Sequence, residues 1–266
     1  MTNAHLVQAL SAPQRSWLTW MPVWHLALSL LLAAGVAVLV TVFWFPPPYH
    51  LLAGGMQLFW WMLGVDMVCG PLLTWILIRP GKTWRALGVD LVLIALLQWG
   101  ALAYGVHTLA LSRPLAVVYE VDRFRVISYS DVPEQELKAG TAPSWFTPWQ
   151  LQAPQMQGLR SVRSLEEKLA SLDAALQGVD AAQKPSRWQA YALSKTEILA
   201  RARPLEDLRR RYPTEVGRID LAAMAAGLQS GGLWLPVVGR RSAEWVALID
   251  PASAAIVGYL PLDGFF

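Results

Sequence analysis

Three long stretches with almost no charged residues lie in the first 111 residues of this 266-residue chain. Residues 24–45 contain no Lys, Arg, Asp or Glu, and residues 51–78 and 87–111 each contain one aspartate, Asp66 and Asp90. Because about 20 apolar residues suffice to cross a bilayer as a helix, each stretch predicts a transmembrane helix. The first stretch ends in bulky residues and prolines rather than at the small residues of a cleavage site, which favours a retained helix over a signal peptide.

The rest of the chain has the charge content of a water-soluble domain. Residues 112–266 hold 18 of the 22 basic residues and 17 of the 19 acidic residues. The sequence therefore predicts an N-terminal segment (1–23), a three-helix membrane domain (24–111) and a water-soluble domain (112–266). The charges in this last domain nearly balance and form no basic patch interleaved with aromatic residues, so we expect no nucleic-acid partner.

The loops between the predicted spans differ in charge, which predicts their orientation. Residues 46–50 carry no Lys or Arg, whereas residues 79–86 carry three. Because basic residues are enriched in cytoplasmic loops, we place residues 79–86 and the N-terminus in the cytoplasm. The C-terminal domain is then exported, which in a bacterium means the periplasm. The single cysteine, Cys69, lies within a span, so the exported domain has no disulfide framework.

Spans two and three each carry a stripe of polar and small residues. Asp66, Gly70 and Thr74 recur every four residues and share one helix face, with Pro71 beside them. In span three, one narrow face carries a similar set that includes Asp90, Gln98 and Gly105. Small residues allow close helix approach and polar ones bond between helices, so these stripes predict contacts within the bundle or with a helix of another protein.

The two aspartates lie at different depths, which argues against a proton-sharing pair of the aspartyl-protease type. Counted from the cytoplasmic loop at 1.5 Å per residue, Asp66 is about 18 Å deep and Asp90 about 7 Å. We expect Asp90 to pair with Lys82 or Arg85. Asp66 has no cationic partner in its own span, and an ionisable group within a membrane is a functional candidate by default.

The exported part predicts an α+β domain with a small antiparallel sheet. Residues 115–128 predict one strand, and three more strands form a C-terminal meander at 233–239, 244–250 and 254–262. The predicted helices are a short one within 130–140 and longer ones at 161–178, 186–202, 204–212 and 219–228. In the helix at 161–178, Ser164 and Glu167 predict a capping box and Gly178 predicts the end.

A loop at 142–154 concentrates aromatic residues without a clear period. Trp145, Phe146 and Trp149 are interpreted as packed anchors, as a contact with the membrane surface or as a docking patch for a partner.

Motifs for catalysis are missing from the sequence. It has no GxSxG, HExxH, P-loop or GxGxxG pattern, and the exported domain has no histidine or cysteine. The four histidines, His5, His25, His50 and His107, lack metal-ligand spacing and are interpreted as incidental interfacial or packed residues. We therefore expect no catalytic residues, no metal and no cofactor.

Three segments carry a resemblance to a known family. "FWFPPPY", "GVDMVCGPLLTWILIRPGK" and "DLVLIALLQWGALAYGVHTLALSRPLAVVYEVDRF" together resemble the TfpX/TfpZ (FimB-like) type IV pilin accessory proteins, most closely over residues 43–128. The resemblance implies a multi-pass protein of the bacterial inner membrane that serves as a chaperone-like accessory for a type IV major pilin before assembly. It implies no enzymatic residues.

This resemblance suggests a binding hypothesis. The bundle would hold the pilin's membrane helix through Asp66, Gly70, Gln98 and Gly105, while Trp145 and Trp149 would lie near the pilin head. Pro71, Asp90 and Phe146 complete the set of candidate partner-binding residues. The alternatives from other functional classes are a membrane sensor or ion-coupled transporter subunit that uses Asp66, and an intramembrane or periplasmic enzyme.

Overall fold

The computed structural model describes residues 16–54, 56–77, 83–228, 231–240 and 244–266. They form two compact units. Among the described residues, the first unit comprises residues 16–37 and Leu58–Val106, and the second comprises Val38–Gln57 and His107–Phe266. The segment between the first two spans, which we had assigned to the membrane domain, thus belongs to the second unit. Residues 1–15 of the predicted N-terminal segment and residues 79–82 of the predicted cytoplasmic loop lie outside the described residues.

Among the residues that the structure describes, three helices are long and apolar enough to cross a membrane, as predicted. They are α1 (Ser16–Val38), which continues as a π-helical turn over Leu39–Trp44, α3 (Met56–Leu77) and α4 (Trp84–Ser112). The predicted second span began too early, at residue 51. Residues 49–52 instead form a separate short helix, α2 (Tyr49–Leu52). The chain then turns through Gly54, whose positive φ of 73° suits glycine.

Within its described residues, the second unit is built on one mixed sheet of eight strands, larger than the small antiparallel sheet that we predicted. The strands are β1 (Pro114–Glu120), β2 (Arg123–Ser128), β3 (Gln155–Leu159), β4 (Trp188–Ala190), β5 (Arg203–Pro204), β6 (Leu233–Val238), β7 (Trp245–Ile249) and β8 (Ile256–Leu260). Their order is β4-β3-β1-β2-β6-β7-β8, and β5 pairs with β6. The pairs β1/β3 and β2/β6 are parallel, whereas the predicted C-terminal meander β6-β7-β8 is antiparallel and is confirmed.

The strand predicted over residues 115–128 is in fact a hairpin. Glu120 pairs with Arg123, and Val121 and Asp122 form the tight turn between β1 and β2. Val121 adopts a φ of 56°, a conformation that β-branched residues rarely take. The turn was missed because it lacks the Asn-Gly or Asp-Gly signal of short hairpins.

Short helices connect the strands of this unit: α5 (Glu134–Lys138), α6 (Leu165–Leu176), α7 (Lys195–Arg201), α8 (Leu205–Arg211) and α9 (Val216–Ala225). Helix α6 begins at the predicted cap, Ser164, rather than at residue 161, because the Ser164 side chain accepts a hydrogen bond from the Glu167 N–H. Gly178 follows the end of the helix with a φ of 81°. The single helix predicted over residues 186–202 is wrong in its first half. That half contains the edge strand β4 between two 3₁₀ turns. Within the predicted range, only α7 is an α-helix.

Alternating residues of the strands build apolar cores on the two faces of the sheet. One core contains Val237, Ala247 and Ile249, and the other contains Trp234, Val246 and Leu248. The first core also includes Leu52 of α2, which the sequence had placed in the second predicted span. A Cβ added to Gly239 would lie 2.9 Å from the Leu52 carbonyl carbon, so this segment packs tightly against the end of β6.

Candidate functional site

A polar bridge joins the three long helices inside the first unit. His25 of α1 contacts Thr74 of α3 through Nδ1, at 2.5 Å from Oγ1, and Gln98 of α4 through Nε2, at 2.7 Å from Oε1. Because Oε1 of an amide only accepts, Nε2 of His25 carries a proton. The Thr74 hydroxyl also donates to the Gly70 carbonyl oxygen at 2.9 Å, so it joins His25 to the backbone of α3. Polar groups in an apolar bundle are satisfied in this way by each other.

Two glycines allow α3 and α4 to approach each other closely. A Cβ added to Gly70 would overlap the side-chain amide of Gln98 and lie 2.9 Å from its Cδ. A Cβ added to Gly105 would overlap Met62 and lie 2.9 Å from its Cγ. The polar and small stripes of spans two and three therefore meet within this chain at these positions, rather than against a helix of another protein.

An apolar groove lies beside this bridge and is formed by α1, α3 and α4. It encloses about 190 Å³ and is lined chiefly by aliphatic side chains and methionines, with His25, Ser29 and Gln98 as its polar members. The aliphatic and methionine residues that line it include Leu28, Leu31, Leu32, Val36, Met62, Leu63, Met67 and Leu102. Methionine side chains adapt to irregular apolar partners, so the surface suits another apolar helix.

The other residues of the bundle that we predicted to bind a partner or to form an ion pair are not part of this polar bridge. Pro71 lies half-buried within α3, and Asp90 lies half-buried near the start of α4. The side chain of Asp66 and the whole of Lys82 lie outside the described residues. A role for Asp66 and an ion pair between Asp90 and Lys82 therefore stay predictions.

The structure assigns His25 a position that sequence reasoning missed. We had interpreted this histidine as incidental because it lacks metal-ligand spacing. The available signal was its place inside an uncharged span, where an ionisable side chain needs a partner. Within the described parts of the chain, no group of three or more His, Cys, Asp or Glu side chains forms a metal site.

The aromatic loop of the second unit divides into packed residues and one exposed residue. Phe146 is buried, with its ring centroid 5.8 Å from that of Tyr129 and 5.1 Å from that of Trp188. Trp145 stacks on Trp188 at 6.1 Å. Trp145 and Phe146 are thus anchors of a core beneath β1.

Trp149, in contrast, is 55% exposed. Its ring centroid lies 6.1 Å from that of Trp44 and 6.0 Å from that of His107, so it lies beside the ends of α1's π-helical turn and of α4. Of the three aromatic residues proposed from the sequence, only Trp149 presents most of its side chain to a possible partner.

Arg113 is buried in the same part of the second unit. Its Nη2 donates to the Gln152 carbonyl at 2.8 Å, and its guanidinium lies 5.8 Å from the centroid of the Trp44 ring. Burial lowers the pKa of Arg113 to about 10. The remaining Nε and Nη1 atoms of Arg113, and Nε1 of Trp44, have no hydrogen-bond partner among the described residues. Arg113 thus ties the end of α4 to the aromatic loop.

Comparison with known proteins finds relatives over most of the chain. The fimbrial assembly protein of Dichelobacter nodosus serogroup I is 34% identical over 228 residues, which cover 85% of this chain and 88% of the relative. The serogroup E1 protein is 32% identical over 228 residues, which again cover 85% of this chain and 88% of the relative. The protein of serogroups C1 and C2 is 42% identical over 113 residues, or 42% of this chain and 86% of the relative. No family model and no solved structure matches the chain.

Proposed function

This chain belongs to the FimB-like family of fimbrial assembly proteins, and on that premise we propose that it acts in type IV pilus biogenesis as an accessory that holds a major pilin before assembly. The proposed action is binding, with no bond made or broken. The observation that carries this proposal is the apolar groove between α1, α3 and α4.

The chemistry of the groove fits the membrane helix of a pilin. Before assembly a pilin is held in the bilayer by one apolar helix, and an apolar helix docks into a groove through side chains on one face. The groove offers aliphatic and methionine side chains to such a face. His25 and Gln98 lie at its wall and already bond to each other at 2.7 Å, so docking of an apolar helix leaves that hydrogen bond in place.

The second unit supplies a second contact in this proposal. In the bacterial inner membrane proposed for this protein, loop charge favours an orientation with the N-terminus in the cytoplasm and residues 112–266 in the periplasm. In that orientation the exposed ring of Trp149 faces the compartment of the pilin head. Two weak contacts with one pilin reinforce each other because the first raises the effective concentration for the second.

A crosslinking experiment tests the groove. A photoreactive amino acid at Met67, which lines the groove, is expected to crosslink to the pilin in intact membranes. The same group at Leu96, an exposed residue of α4 that does not line the groove, is the matched control and should label lipid instead. Equal labelling of pilin from both positions, or from neither, would contradict the proposed groove.

A gene deletion tests the pathway independently. Loss of this protein is expected to lower the amount of pilin and the number of surface pili, and a groove variant should reproduce part of that loss. Normal piliation in the deletion strain would instead favour a sensor or a transporter subunit. In that case Asp66→Asn becomes the informative variant, scored by proton or ion flux across the membrane.

A further inference from the structure

Helix α6 exposes the apolar face that its sequence pattern would place in a core. Amphipathic helices of globular domains normally bury such a stripe. Here, no residue of α6 is buried. The four leucines that form the stripe remain largely accessible, with exposed fractions of 72% for Leu165, 58% for Leu169, 55% for Leu172 and 89% for Leu176. No other described segment of this chain covers these leucines, so burying them requires a surface from another molecule.

The spacing of these leucines is that of a two-stranded coiled coil. Steps of four, three and four residues place Leu165 and Leu172 at d positions and Leu169 and Leu176 at a positions of a heptad. The same register places Glu166 and Asp173 at e, and Lys168 at g. Those positions flank the seam and decide which helix pairs with which, and in what direction.

The flanking charges match a second copy of the same helix in parallel orientation. In a parallel pair, Lys168 at g faces Asp173 at e of the other helix, and the two-fold symmetry makes this contact twice. An antiparallel pair would instead oppose Glu166 and Asp173, which carry the same charge. We propose that α6 is a self-association surface through which two copies of this protein pair in parallel.

Helix α6 is held firmly enough to present this surface. Ser164 caps its first turn, and Glu167 on the opposite side forms an ion pair with Arg160 at 2.6 Å. With 12 residues the seam is short, and isolated helices of that length are marginal in water. Confinement of both copies to one membrane through their candidate spans raises their effective concentration and compensates for the small contact.

Disulfide trapping of the full-length protein in native membranes tests the pairing. In a Cys69→Ser background, Leu172→Cys places a thiol at a d position, where parallel partners come within disulfide distance. Oxidation is expected to give a covalent homodimer. Ala170→Cys is the matched control, because it is exposed on the same helix but lies away from the seam, and it should give little dimer. No homodimer from Leu172→Cys, equal dimer from both variants, or a crosslink to a different protein would overturn the proposal.

Charge reversal tests the direction of pairing. Lys168→Glu and Asp173→Lys should each lower the yield of the Leu172→Cys dimer roughly fivefold, because each loses two symmetric ion pairs. The double variant should restore the yield. If the double variant stays as low as the single ones, parallel pairing is refuted. Pilin crosslinking from Met67 is read separately in the same strains, so failure of the dimer and failure of the pilin contact are distinguishable.

Discussion

Replacing Gly70 by alanine should disturb the contact between α3 and α4 through one added methyl group. The three atoms nearest to the new Cβ all belong to the Gln98 side chain, and the Cβ would overlap its amide nitrogen and lie 2.9 Å from Cδ. Gln98 must then swing away from α3. Its hydrogen bond to His25, now 2.7 Å long, breaks or lengthens, and the polar bridge loses one of its two contacts.

The magnitude follows from three contributions. Overpacking of a well-filled contact costs about 1–3 kcal/mol. A lost hydrogen bond between membrane helices adds on average about 0.6 kcal/mol. The higher helix propensity of alanine returns up to about 1 kcal/mol, although Pro71 disfavours a helical residue with a Cβ before it. Because these contributions partly cancel, the net change in stability is hard to assign to any one of them. We therefore predict the interaction free energy between Gly70→Ala and the Gln98 side chain, which we expect to be about 1–3 kcal/mol.

Thermal unfolding in detergent micelles measures this coupling as a double-mutant cycle. Gly70→Ala should lower the midpoint by several degrees in the native background, at about 2–4 °C per kcal/mol. In a Gln98→Ala background most of that loss should vanish, because the obstructing side chain is gone. Gly88→Ala is the control, since a Cβ there meets nothing within 4 Å. If Gly70→Ala is as harmless as Gly88→Ala while Gln98 is present, the close contact does not exist.

Two further predictions concern the second unit. Phe146→Ala should destabilise it by about 3–5 kcal/mol in a denaturant titration because the ring is buried among other aromatic rings, whereas Trp149→Ala should cost far less. The Arg160 guanidinium, and then the N–H of Arg163, lower the pKa of Glu167 from 4.5 to about 2. This carboxylate therefore stabilises α6 fully above pH 4.5, and the contribution is lost as the pH falls toward 2. Hydrogen exchange of α6 amides should show this loss, and Glu167→Gln should abolish its pH dependence.

Features that depend only on neighbouring residues, such as the ends of a helix, could be predicted from the sequence. Ser164 and Gly178 predicted the ends of α6 because capping and a left-handed turn depend on neighbouring residues only. The β1–β2 hairpin was missed because Val121 takes a turn conformation that its own preferences oppose. The pairing of β4 with β3 overrode the helical pattern of residues 186–190, which propensity alone cannot anticipate.

In the candidate site, too, features that depend on neighbouring residues could be predicted, and contacts between distant residues could not. The glycine and polar stripes of α3 and α4 were visible as residues that share a helix face. Their partners were not visible, because His25 is 49 residues from Thr74 and 73 from Gln98 in the chain. Nothing local in the sequence marks a contact over such separations.

The sequence by itself determined which parts of this protein are apolar enough for a membrane and which are polar enough for water, because transfer free energy depends mainly on composition over about 20 residues. It also determined the heptad spacing of α6. Only the tertiary structure decided what each apolar face meets. It placed Leu52 in the core of the sheet and Phe146 beneath β1, and it left the leucines of α6 exposed. The physical reason is that burial depends on which distant segments fold against a face, and a hydrophobic pattern states only that a partner is needed.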